Sequence, residues 1–258
     1  MGIAIEAVEK RYVSRGRETV ALSPIGLSIE SGEFVAFVGP SGCGKSTLMN
    51  MVAGILPPTA GRILHDGRPV DGINTHVGYM TQQDSVLPWR TVVENVELPL
   101  RFRGLSTADR RAKVATMLSR VGLAGFENAY PVELSGGMRK RVALAQLLVY
   151  EPGTLLMDEP FGALDAQLKL LMQKQLLEIW QANHQTVVFV THDLAEAVTL
   201  ASRVIVFSGR PGSIKAIETI DIPYPRDPFR VRFLPAFEAA YARLWDQLAP
   251  EIAKGEAV

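Results

Sequence analysis

An α/β fold, with a mainly parallel sheet flanked by helices, is what this sequence predicts, and three stretches predict it. Phe34-Val35-Ala36-Phe37-Val38 is a bulky apolar run that leads into Gly39-Pro40-Ser41-Gly42-Cys43-Gly44-Lys45-Ser46-Thr47 and then into helix-compatible residues. Thr154-Leu155-Leu156-Met157-Asp158-Glu159 and Thr186-Val187-Val188-Phe189-Val190 are runs of the same kind, each ending in polar residues. Short continuous apolar runs, rather than alternating ones, suit strands covered on both faces.

Strand, glycine loop and helix are also the context in which G-x-x-x-x-G-K-[ST] reads as a phosphate-binding P-loop. Glycines at 39, 42 and 44 let the backbone curl so that its N–H groups point inward as an anion nest. The start of the following helix adds favourable potential. Lys45 supplies a full charge to the β- and γ-phosphates of a nucleoside triphosphate, and the Ser46 hydroxyl can ligate Mg²⁺. A plain strand-to-helix turn would need the glycines but not Lys45-Ser46.

Length and composition narrow the classes. The chain has 258 residues, 47% of them hydrophobic, enough for a sizeable core in one large domain or two small ones. Lysine plus arginine equals aspartate plus glutamate at 27 each, which argues against general nucleic-acid binding. The one cysteine, Cys43, lies inside the phosphate loop. It reads as a small residue fitting a tight turn, or as a thiol whose modification blocks nucleotide entry. Met1 to Lys10 lacks the pattern of a secretory signal, and no apolar run approaches the roughly 18 residues of a membrane span. The expectation is a soluble chain whose membrane role, if any, comes through a partner.

In chain order, Ile3 to Val8 reads as a strand, Ser14-Arg15-Gly16 as a turn, and Val20 to Ile29 as further strand broken at Pro24. These short strands predict a small antiparallel sheet. Tyr12 is either an aromatic placed to stack on a flat base or an ordinary half-buried strand-end tyrosine. Gly54 and Pro57-Pro58 end the helix after the phosphate loop, Gly61 to Leu64 is a strand, and Asp66-Gly67 is a hairpin turn. Val77 to Met80 is a strand ending at Gln82-Gln83-Asp84, and Thr91 can cap a helix beginning at Val92. Ser106 to Leu123 is a helix with Val114, Met117, Leu118 and Val121 on one face and Gly122 at its end. The stretch from about 85 to 150 therefore reads as a helical subdomain inserted into strand–helix alternation. It closes with Leu134-Ser135-Gly136-Gly137-Met138 and a helix from about Arg139 to Val149. Beyond it come a long helix over Gln167 to Ala182, strands at Val204 to Phe207 and Ile214 to Ile220, a turn at Gly209-Arg210-Pro211-Gly212, and an amphipathic helix from Phe233 to Ile252. Residues from about 209 to 258 form a C-terminal extension.

Asp158, at the end of an apolar strand behind a phosphate loop, is placed to hold Mg²⁺ opposite Ser46, and Glu159 to polarise an attacking water. His192 also ends a strand, where it is either structural or a sensor of the γ-phosphate.

Together these motifs resemble the nucleotide-binding subunit of an ABC transporter over nearly the whole chain, read as a single domain, 1–258. Leu134-Ser135-Gly136-Gly137-Met138 is similar to that family's LSGGQ signature, with Met138 replacing the last residue. The resemblance implies a P-loop ATPase core with a small antiparallel β subdomain and the helical insert. It makes Tyr12 the adenine-stacking aromatic. Gln82 becomes a Q-loop ligand of Mg²⁺ or of the attacking water, Glu159 the base, His192 the switch histidine, and Ala163-Leu164-Asp165 a D-loop at a dimer seam. It also implies two chains facing head to tail, with ATP on Lys45 and Ser46 of one covered by Ser135, Gly136 and Gly137 of the other. Permease subunits, indirectly a periplasmic or surface solute-binding protein, and a place on the cytoplasmic face of the membrane complete that picture.

Leu87-Pro88-Trp89-Arg90-Thr91-Val92 and Arg210-Pro211-Gly212 are similar to the nitrate, sulfonate and taurine importer group. Lys140 and Gln146 depart from the usual Gln and Arg, which puts the surface partners of that helix in question. The alternative is a soluble ABC ATPase acting on DNA or ribosomes. Such proteins carry a long coiled-coil insert or two tandem cassettes, and the sequence shows neither. A binding module that does not turn over ATP is disfavoured by Glu159.

Overall fold

The computed structural model describes residues 2–14, 16–83 and 85–256. The chain opens with strands β1 (Ile3–Ser14) and β2 (Arg17–Ile29), joined at the expected turn, whose Arg15 lies outside the described residues. Next come β3 (Phe34–Val38), α1 (Lys45–Val52), the hairpin β4 (Ala60–His65) and β5 (Arg68–Pro69), and β6 (Val77–Met80). Asp84, expected just past β6, is also outside the described residues. Between β6 and β7 the regular elements are helical: α2 (Val92–Glu97), α3 (Thr107–Arg120) and α4 (Gly136–Leu148), with short 3₁₀ turns. Alternation then resumes through β7 (Thr154–Asp158), α5 (Ala166–Asn183), β8 (Thr186–Val190), α6 (Leu194–Leu200), β9 (Arg203–Phe207), β10 (Ile214–Thr219) and α7 (Pro235–Glu256).

Two sheets result. The larger has the order β10-β9-β3-β8-β7-β6, parallel except for its edge strand β10. The smaller, β2-β1-β4-β5, is antiparallel. Its hairpin turn uses Asp66 and Gly67 at φ 49° and 77°, the left-handed pair that a two-residue turn matching strand twist requires. The expected break at Pro24 does not occur, because β2 runs through it. β2 is an edge strand, and Pro24 falls where the pairing with β1 shifts register between Val8 and Lys10, so the missing N–H takes no ladder bond away.

The continuous apolar runs are explained by cover on both sides. Phe34, Ala36, Val38, Leu155, Met157, Val187 and Phe189 point into a core shared with the helices of one face. Val35, Phe37, Leu156, Val188 and Val190 point the other way, onto α1 and the antiparallel sheet. Truncating such a residue, Phe189→Ala for example, removes about 3–5 kcal/mol of packing.

Local signals set most helix ends. Thr91 and Glu94 form a reciprocal capping box on α2, and Ser106 caps α3. Several ends differ from expectation: α3 stops at Arg120 rather than Leu123, and α7 continues to Glu256 rather than stopping at Ile252. α4 begins at Gly136 rather than near Arg139, because Ser135 is its N-cap and accepts a bond from Met138 N at 3.2 Å. α7 begins at Pro235, a residue suited to a first helical turn, while Phe233 belongs to a preceding 3₁₀ turn. The buried positions of α7, Phe237, Ala240, Leu244, Leu248 and Glu251, make one stripe. No helix among the described residues is long and apolar enough to cross a membrane.

Two buried charges anchor the C-terminal region. Arg226 is buried and donates to the carbonyls of Val198 (2.9 Å) and Ala201 (2.8 Å), at the end of α6, and of Ile222 (2.7 Å). It serves as a side-chain cap for carbonyls that the helix leaves unpaired, and burial lowers its pKa. Glu251 accepts from Gly209 N at 3.0 Å, Lys215 Nζ at 2.9 Å and Lys254 Nζ at 3.0 Å. These donors, the Gly209 N–H first, hold its carboxyl down from 4.5 to about 2.

Arg226→Ala leaves several buried carbonyls without a donor and should lower stability by about 3 kcal/mol. Urea unfolding with an unchanged midpoint would refute the capping role. The Glu251 contact, with its pKa depressed on folding, is fully present above about 4.5 and fades as pH falls through about 2. In Glu251→Gln, hydrogen exchange at Gly209 and the last turns of α7 should exceed wild type severalfold at pH 7, with the ratio approaching one near pH 2. A ratio independent of pH would contradict it.

Candidate nucleotide-binding site

The larger sheet brings the carboxyl ends of β3, β7 and β8 side by side, and the chemistry-bearing residues stand at those ends, as is usual for ligand sites in open α/β sheets. After β3 the backbone turns through Gly42 and Gly44 at φ 72° and 100°, and Gly44 is the N-cap of α1. Lys45 Nζ donates to the carbonyls of Gly39 (2.8 Å) and Pro40 (2.9 Å) and lies 3.5 Å from Cys43 Sγ. Cys43 is fully buried, which favours its reading as a residue that fits the loop.

Asp158, the last residue of β7, is 2% exposed. Burial pushes its pKa up, and a hydrogen bond with the Ser46 hydroxyl is the main opposing influence. The two side chains predicted to share Mg²⁺ therefore stand close to one another. A hydroxyl and a carboxylate are hard oxygen donors, and no group of three or more His, Cys, Asp or Glu converges among the described residues. That short donor set fits an ion that takes its remaining ligands from phosphates and water.

Glu159 follows at φ 51°, a left-handed conformation that an unbranched non-glycine residue adopts only at a cost of order 1 kcal/mol. Its N–H donates to Val190 O at 2.9 Å, extending the β7–β8 pairing by one bond. Its Oε2 lies 3.3 Å from Gln82 Nε2 and 3.6 Å from His192 Nδ1. His192 is two-thirds exposed, on a turn fixed by the Thr191 hydroxyl bonding to buried Glu196 at 2.6 Å. Lys169 of α5 completes that support, 3.1 Å from Glu196.

Tyr12 is half-exposed on the wall of a cleft of about 290 Å³ that also borders Gly42, Gly44, Ser46 and Thr47. Lys10 Nζ lies 5.4 Å from its ring centroid. Ser135, Gly136 and Gly137 are not brought to the loop of their own chain. They form the first turn of α4, where Gly137 faces Ala163 and Leu164. Asp165 caps α5 through bonds from Gln167 N and Leu168 N and interacts electrostatically with Arg141 of α4.

Three supports escaped sequence reasoning. Arg210 donates from Nε to Gly42 O at 2.7 Å, and a Cβ on Gly42 would collide with its guanidinium. Gly212 packs so closely on Cys43 O that a Cβ would sit 1.8 Å from it. The Arg210-Pro211-Gly212 turn was legible as a turn, but not as a brace on a loop 170 or so residues away, for Arg210 and Gly42 are 168 apart. Lys140 is the third. It is buried, not a surface residue, and its Nζ donates to Gln82 O at 2.5 Å.

Comparison with known proteins bears on the family and the fold. The family model described as ABC transporter matches residues 22–162. A nitrate import ATP-binding protein of Synechocystis is 46% identical over 86% of this chain and 84% of its own. A taurine import ATP-binding protein of Yersinia pestis is 48% identical over 75% of this chain and 76% of its own. The dimeric structure of a bacterial ABC transporter cassette superposes with a TM-score of 0.79 at 32% identity, over 86% of this chain and 100% of that one. The same cassette in a post-hydrolysis state with ADP and Pi matches equally well. By motif, fold and relatives alike, the chain belongs to the ABC transporter family, as one of its ATP-hydrolysing cassettes.

Proposed function

We propose that this cassette powers an importer for a small anionic solute, a sulfonate, taurine or nitrate, and works as a dimer with two composite ATP sites. The observation that carries the reading is the meeting of Gln82 Nε2 and His192 Nδ1 on one oxygen of Glu159, beside Asp158 and its Ser46 partner.

In this reading the loop from Gly39 to Thr47 and the start of α1 hold the phosphates, Lys45 offsets their charge, and Tyr12 stacks on adenine. Ser46, Asp158 and the Gln82 amide oxygen would hold Mg²⁺, which would supply charge neutralisation to the bound phosphates. Glu159 accepts a proton from the water that attacks the γ-phosphorus, as the bond to the ADP oxygen breaks. His192 keeps Glu159 in register with that phosphate. Ser135 and Gly137 of a second copy approach from the other side. The cap made by Ser135 takes up the Met138 N–H, while Gly136 and Gly137 bring their own N–H groups to the start of α4 and offer no Cβ to hinder a phosphate. Asp165 lies at the seam.

The stretch from about 85 to 150 acts as the helical subdomain, and the loop from Gln82 to Arg90, apart from Asp84 outside the described residues, meets a permease. Trp89 at 70% and Phe102 at 84% exposure support that docking, since large exposed apolar side chains commonly mark interaction surfaces. The cassette then sits on the cytoplasmic face of the membrane, peripheral through permease subunits and served indirectly by a solute-binding protein. The nitrate and taurine import relatives support the solute class.

Glu159→Gln should abolish turnover by about 10²–10⁴-fold while retaining ATP, and light scattering should then show an ATP-dependent dimer. Unchanged turnover would remove Glu159 from the base role. In vesicles carrying this cassette with a permease and a binding protein of the nitrate, sulfonate and taurine importer group, one of taurine, an alkanesulfonate or nitrate should raise ATP hydrolysis severalfold. Response to none of them would overturn the solute class and leave the ATPase reading intact.

A further inference from the structure

Lys140 lies on α4, one turn after Gly136, so its backbone moves with the signature turn. Its side chain does not run along the helix surface. It is 92% buried and crosses to the segment after β6, where Nζ donates to the backbone carbonyl of Gln82 at 2.5 Å. The side-chain amide of that same residue touches Glu159 Oε2 at 3.3 Å. A continuous line of contacts therefore joins α4 to Lys140, Gln82, Glu159 and His192 within one chain.

We infer that Lys140 is a positioning residue for hydrolysis: it ties the signature helix to the Gln82 backbone, so that the place of α4 sets the orientation of the Gln82 amide against Glu159. The inference rests on the role of Glu159 given above. An ammonium donating to a carbonyl is a charge-assisted bond and about twice as strong as a neutral one. Glutamine at 140 is shorter than lysine by one side-chain atom and uncharged, so it makes a weaker tie and lets the Gln82 loop drift. When a nucleotide on the facing copy draws the N-terminus of α4 toward it, the tie carries that displacement to this chain's own Gln82. Lys140 thus links the phosphate held by one turn of the chain to the base at another site.

The test uses the full chain with Mg²⁺-ATP. Lys140→Gln should lower kcat about tenfold, with the Kd for ATP within about twofold of wild type and a melting temperature lowered by no more than about 5 °C. Lys140→Arg, which keeps the charge and the donor, should recover most of the rate. In a Gln82→Ala background, Lys140→Gln should cost less than about twofold more, because the amide through which it acts is gone. Wild-type kcat in Lys140→Gln, an equal loss in both backgrounds, or a loss matched by weaker ATP binding and lower stability would each overturn the inference. Glu159→Gln measured in parallel separates the two readings. If that variant turns over normally, both fail; if it is inactive while Lys140→Gln is normal, only the role of Lys140 fails.

Discussion

Cover on both faces of the central strands is the constraint on which the rest depends. β3, β7 and β8 bury every side chain, alternate residues going to opposite cores. A strand in that setting has no place for a polar group along its length, since an unpaired one would cost several kcal/mol. Polar chemistry is driven to the ends, where the strands deliver Gly39, Asp158 and Thr191 to neighbouring positions in one plane. The parallel direction puts those ends together on one side.

Much of this was legible because short-range rules govern it. The apolar runs, the glycine loop, the cap at Thr91 and the Asp66-Gly67 turn all report local physics, and each falls where expected. Errors came where partners distant in sequence decide. Pro24 was read as a break because nothing nearby reveals that β2 is an edge strand. α4 begins ahead of the expected Arg139, because the Ser135 cap and the contact of Gly137 with Ala163 and Leu164 outweigh the low helix preference of glycine. The approach of Arg210 to Gly42 and of Lys140 to Gln82 had no local signature at all.

The C-terminal region is tied to the phosphate loop by the same kind of distant contact. Glu251 of α7 holds Gly209, and the next residue, Arg210, holds Gly42. The buried stripe of α7 fixes where Glu251 sits. Through two hydrogen bonds and one packed face, α7 thus bears on the shape of the loop. Glycine at 212, pressed against Cys43, gives this support its close fit.

Glu159 keeps a backbone conformation that glycine would adopt with ease. Ridding the chain of that side chain would relax the main chain and also empty the position proposed to take up the proton. Sturdiness and turnover are therefore opposed at a single residue, and a search for hardier variants of this cassette that scored folding alone would be drawn toward an inert one.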